Sequence, residues 1–60
     1  MENLSKKQEA ICIECMCDFL YYGYSLKSFT ELNDYGKELK NNMDYLKQLW
    51  KKAIDKMCKD

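Results

Sequence analysis

The chain has 60 residues, 47% hydrophobic and 33% charged, with zero formal net charge, two glycines, four cysteines and no proline. This length allows one domain, 1–60, which buries about 60% of its unfolded surface and is marginal as a monomer. Histidine and arginine are absent, which removes the usual proton shuttle near neutral pH and the best bidentate reader of phosphate and guanine.

Few turns are encoded, which favours a few long helices over a sheet. Ser5 with Gln8 three residues on forms a capping-box pattern that opens a first helix. That helix is expected over about 5–22, with Gly23 as the left-handed residue that stops it. On a helical wheel Ile11, Cys15 and Tyr22 share a sector, followed by Phe19 and Cys12, then Met16, then Leu20 and Ile13, then Cys17 and Ala10. These cover roughly two-thirds of the circumference, and the charged strip of Lys7, Glu14 and Asp18 is narrow. A surface helix normally has an apolar arc of about 100° or somewhat more. One facing helix cannot cover this one, so either two helices of the same chain or a second chain must do so.

Tyr24 to Lys27 read as a connection, and Ser28 with Glu31 as a second capping box. The second helix is expected over about 28–58. Phe29, Leu32, Gly36, Leu39, Met43, Leu46, Trp50, Ala53, Ile54 and Met57 stay in phase on one side of it, while Asn33, Asp34, Lys37, Asn41, Asp44, Gln48, Lys51, Lys52, Asp55, Lys56 and Lys59 take the other. Asn41-Asn42 is poor helix sequence and can cap a new start, with Asp44 in its first turn. The unbroken phase of the stripe favours continuity. Gly36 sits inside the stripe, where glycine costs about 1 kcal/mol relative to alanine. Close approach of a bulky side chain such as Phe19, Tyr21 or Tyr22 is its expected use; a local bend is the alternative.

The expected architecture is therefore all-α: a two-helix hairpin that self-associates, most simply as an isologous homodimer forming a four-helix bundle. A break near 41–42 gives a three-helix bundle instead. The apolar run from Ala10 to Tyr22 holds Glu14 and Asp18 and is shorter than the roughly 20 residues needed to cross a bilayer. No signal-peptide pattern is visible, so a cytoplasmic protein without membrane contact is expected, with its thiols reduced.

Cys12, Cys15 and Cys17 lie in a helical apolar segment without a glycine turn, and Cys58 is distant. Core packing is the expected role, because free cysteine behaves as a small hydrophobe. A thiolate metal or redox module is the alternative, with Cys12, Cys15 and Cys58 as the better ligands. Glu14 and Asp18 form an (i, i+4) pair that reads as a solvated strip. No catalytic residue, cofactor site or metal site is assigned, and no enzyme activity is expected.

Phe19, Tyr21, Tyr22, Tyr24 and Phe29 surround the connection, where plugging the end of the bundle is their expected role and a contact surface the alternative. Tyrosine and tryptophan are favoured at binding hot spots, because they bring large area at small entropic cost. Tyr45 falls on the polar side of its helix and is a candidate contact alongside Tyr24. With the outer face of the first helix they define the expected interface: Ile13, Met16, Cys17, Leu20, Tyr24 and Tyr45. The expected function is non-enzymatic protein binding, directed at a larger protein, at a second copy, or at both. An arginine-free chain rich in lysine, asparagine and tyrosine suits an AT-rich genome and a small phage- or mobile-element-encoded inhibitor of a host or defence protein. The alternative is a homodimeric nucleic-acid regulator using Lys47, Lys51, Lys52, Lys56 and Lys59. Zero net charge weighs against it, and so does Asp55 among those lysines.

Overall fold

The computed structural model describes residues 3–59, and four helices make up the fold: α1 (Lys6–Tyr21), α2 (Leu26–Leu32), α3 (Asp34–Leu39) and α4 (Met43–Cys58). Its all-helical character follows the sequence expectation. The arrangement within the second half does not.

Helix α1 begins as its sequence dictates. The Ser5 side chain accepts from the Gln8 backbone N–H at 3.2 Å, and the Gln8 side chain accepts from the Ser5 N–H at 3.2 Å. Two of the four orphan N–H groups of the helix start are satisfied this way. The other end is a Schellman motif. Gly23 has φ of +81°, its N–H donates to Leu20 O at 3.0 Å, and the Tyr24 N–H donates to Phe19 O at 2.8 Å. The apolar contact that accompanies this motif is the Phe19–Tyr24 ring pair, with centroids 5.4 Å apart.

The single helix expected over 28–58 is three helices. Its start is earlier than predicted. Ser25, not Ser28, is the N-cap of α2, and its hydroxyl accepts from the Ser28 N–H at 3.2 Å. Asn33 then breaks the chain. It is extended (φ −103°, ψ 139°) and serves at once as C-cap of α2 and N-cap of α3, its side chain accepting from the Tyr35 N–H at 2.9 Å. Asparagine is among the strongest N-caps, and Asp34 follows in the first turn, where the helix dipole favours an acid. A second break falls at 40–42, the position of Asn41-Asn42, and α4 starts at Met43 with Asp44 in its first turn.

The bend at Asn33 folds α3 back onto α2, and Gly36 is what permits it. A Cβ built on Gly36 would lie 2.6 Å from the Phe29 carbonyl carbon and 2.7 Å from the Thr30 Cα. The close approach expected of this glycine is therefore made, but to the backbone of α2 and not to a bulky side chain.

Helices α1 and α4 pack along each other, and the ties between them advance in the same direction along both. The Leu4 N–H donates to Tyr45 Oη (3.3 Å), Lys52 Nζ donates to Glu9 Oε1 (3.1 Å), and the Cys17 thiol donates to the Ala53 carbonyl (3.7 Å). The two long helices are thus parallel neighbours, and the α2–α3 corner carries the chain back between them. A hairpin would have made them antiparallel. The core contains Cys12, Met16, Phe29, Leu39, Leu46, Leu49 and Ala53, all essentially unexposed. Phe29 sits at its centre, with its ring 5.1 Å from Phe19 of α1 and 5.7 Å from Trp50 of α4.

The radius of gyration is 10.5 Å, close to the roughly 10.4 Å expected of a self-contained chain of this length. Within the chain α1 packs chiefly on α4, and Phe19 meets Phe29 of α2; Ile11, Tyr21 and Tyr22 stay exposed. Among the described residues no helix is long and apolar enough to cross a membrane.

Candidate interaction surfaces

The six residues expected at an interface do not share one surface. Met16 is fully buried in the core of a single chain: it lies seven residues after Glu9, on the side of α1 that faces α4, in one cluster with Phe29, Leu39, Leu46 and Leu49. That places Met16 beyond reach of any partner while the fold is intact. Ile13, Cys17 and Leu20 are half-buried and pack against the same core. Cys17 is further engaged by its contact with the Ala53 carbonyl. Tyr24 alone of the six is exposed, at 50%.

Tyr45 is half-buried and has a structural task. Its hydroxyl donates to Glu9 Oε2 at 2.9 Å and accepts from the Leu4 N–H, while Lys52 holds the other Glu9 oxygen at 3.1 Å. The segment before α1 is tied to α4 in this way. The Lys52 and Tyr45 hydrogen bonds hold the Glu9 carboxyl below its ordinary value of 4.5. Burial, with Glu9 as acceptor, pushes the Tyr45 phenol above its ordinary value of 10.0.

A depressed carboxyl contributes stability that is present above its unfolded value and lost as pH falls through the folded one. The stability advantage of the native protein over Glu9→Gln should therefore shrink below about pH 4.5. Lys52 is 58% exposed, so the effect at neutral pH should stay under about 1 kcal/mol. Urea titrations of the two proteins at pH 7 and pH 3 measure it; parallel pH profiles would refute this account of the tie.

The four cysteines are free. Burial pushes the Cys12 thiol up to about 11, with smaller contributions from Cys15 and Glu9. Cys58 is exposed near the end of α4. Among the described residues no three His, Cys, Asp or Glu side chains converge as a metal-binding group, so Cys12, Cys15 and Cys58 are not assembled as ligands. Thiol alkylation at pH 8 should label Cys58 fast and Cys12 only on unfolding, because the thiolate is the reacting form. Mass mapping of a timed reaction checks the order; early labelling of Cys12 would contradict its burial.

The exposed large apolar side chains form the remaining candidates: Ile11, Tyr21, Tyr22, Tyr24, Leu32, Met43 and Ile54. Leu32, Met43 and Ile54 belong to the stripe that the sequence assigns to a buried side, and Leu49, outside that stripe, is buried in their place. The buried side of α4 is centred on Leu46, Leu49 and Ala53, which leaves Met43 and Ile54 at its margin, so the stripe is only partly covered. Three exposed tyrosines gather at the α1–α2 corner. The Tyr21 and Tyr22 rings meet edge to face at 5.2 Å, with 76% and 73% of their surfaces exposed.

The basic face is split by the fold. Lys47, Lys51, Lys56 and Lys59 are exposed on α4 and its C-cap, whereas Lys52 is paired with Glu9. Compared with models of protein families, with curated proteins and with solved structures, the chain matches none.

Proposed function

We propose that this protein acts by binding a larger protein through the tyrosine corner between α1 and α2, without catalysing a reaction. The observation that carries the reading is the group Tyr21, Tyr22 and Tyr24, all at least half exposed on a fixed turn. Tyrosine supplies broad amphipathic contact area with only two side-chain torsions to immobilise. The turn itself is rigid: the Schellman hydrogen bonds fix its backbone, and Phe19 holds the Tyr24 ring. Binding through a surface already ordered avoids part of the entropy cost of association.

The lysine-, asparagine- and tyrosine-rich composition without arginine fits an AT-rich genome, and with the small size it extends the reading to a phage-type inhibitor that covers a host protein's surface. The test is retention of a specific protein from the native host's extract on the immobilised full chain, native against Tyr21→Ala. Tyr21 is mostly exposed, so the variant keeps its fold. A hot-spot tyrosine costs about 2 kcal/mol or more when truncated, and retention should fall at least about tenfold. Equal retention by the variant would refute the corner as the binding site.

A further inference from the structure

Two exposed strips lie on opposite flanks of the α1–α4 pair, and their chemistry is complementary. At about 100° per residue, Ile11, Glu14 and Asp18 of α1 and its C-cap residue Tyr22 share one strip. It points away from Glu9 and Cys17, which face α4. Met43, Lys47, Lys51 and Ile54 share one strip of α4, pointing away from Tyr45 and Lys52, which face α1. All eight side chains are exposed. One strip is apolar at its ends with two carboxylates between; the other is apolar at its ends with two ammonium groups between.

The spacings also agree. Ile11 and Tyr22 are eleven residues apart, as are Met43 and Ile54, close to three helical turns of about 3.6 residues each. Laid antiparallel, Tyr22 meets Met43, Asp18 meets Lys47, Glu14 meets Lys51 and Ile11 meets Ile54. The antiparallel setting also places opposite helix dipole ends together. Pairing each strip with itself does the reverse. Antiparallel α1 strips oppose Glu14 to Asp18, and antiparallel α4 strips oppose Lys47 to Lys51. Zero net charge leaves no long-range repulsion between copies, a condition that promotes association.

We propose that the α1 strip of one copy docks antiparallel on the α4 strip of a second copy, giving head-to-tail self-association. The occupant is a second copy of this chain, and the pairing is heterologous, unlike the isologous bundle expected from sequence. Because the strips lie on opposite flanks, each copy that docks leaves one strip open. Association of this kind does not stop at two. A single helix face is small, so the contact is weak and appears at high concentration. It shares Tyr22 with the tyrosine corner but is tested at residues outside it: a native protein that does not self-associate yet retains its partner overturns this inference alone.

Sedimentation velocity of the full chain from micromolar to millimolar concentration tests it. The average mass should climb continuously with concentration and fall back as salt is raised. Two charge-reversal variants follow, Glu14→Lys with Asp18→Lys, and Lys47→Glu with Lys51→Glu. Each alone should associate about tenfold more weakly or worse, with helical content unchanged, since reversal turns two exposed attractions into repulsions. Mixed together they should associate again, because each variant then meets the opposite charge on its partner. A failure to fold cannot produce that recovery. A native protein that stays monomeric throughout, a plateau at dimer, or variants that associate like the native protein would each overturn the proposal.

Discussion

Met16→Glu should leave the chain unfolded at neutral pH, seen as loss of the cooperative thermal transition and of helical circular dichroism. Met16 has no exposed surface and lies among Cys12, Phe29, Leu39 and Leu46 in the core. A carboxylate there has no partner among the described residues, and the effective penalty for an unpaired buried ion is several kcal/mol. A domain of this size has a total stability of about 3–9 kcal/mol. Protonation would relieve only part of the cost, because the neutral carboxyl would still lack a hydrogen-bond partner. Met16→Leu is the control: it conserves volume and should cost less than about 1.5 kcal/mol. A Met16→Glu protein that melts cooperatively near the native temperature would place this side chain outside the core.

Gly36→Ala should be the most damaging addition of a single methyl group. In an ordinary helix interior the same change helps by about 1 kcal/mol. Here the new Cβ would meet main-chain atoms of Phe29 and Thr30, which cannot swing aside as a flexible side chain would. Helix α3 must separate from α2, and Phe29 and Leu39 must lose part of their packing. Overpacking typically costs about 1–3 kcal/mol, and the backbone clash places this case at or above the top of that range. Gly23→Ala is the informative comparison. It has open space around the new Cβ and only the positive φ to oppose it, so about 1–2 kcal/mol is expected. Denaturant midpoints of the two variants measure the difference, and equal midpoints would refute the close approach of α3 to α2.

Both predictions depend on features that the sequence disclosed unevenly. The Ser5–Gln8 box and Gly23 carry local chemistry that acts whatever the tertiary fold, and both ends of α1 were legible. Helix α1 is apolar around much of its girth, and Ile11 and Tyr21 remain exposed on it. What covers it was not legible, because Asn33 looked like one more polar residue on the solvent side. Hydrophobic phase reports which side of a segment is apolar, and a kinked chain can keep that phase while changing direction. The useful signal was chemical. Asn33 caps α3 with its side chain and Asp34 follows directly, whereas Asn42 opens α4 without a side-chain cap bond and with Asp44 two residues on. Ser25 and Ser28 compete for one cap; Glu31 favours Ser28 by capping-box spacing, but the Ser25 hydroxyl takes the role and accepts from the Ser28 N–H. Met16 is buried because it lies on the side of α1 that α4 covers, the side of Glu9, and the wheel of α1 alone does not say which arc α4 takes. Of the exposed tyrosines at the α1 terminus the sequence singles out Tyr24 alone as a contact; Tyr21 and Tyr22 read as a plug for the end of the bundle, yet both are exposed.

The parallel pairing of α1 with α4 has a consequence for how the molecule is made. Its ties join positions 36 to 43 residues apart, so the chain has high contact order for a helical protein, and it should fold more slowly than helical proteins held together by near neighbours. On the ribosome, α1 is finished long before the helix that shelters it leaves the exit tunnel. During that interval its apolar girth is uncovered, and this is the stage at which the nascent protein is most vulnerable to aggregation.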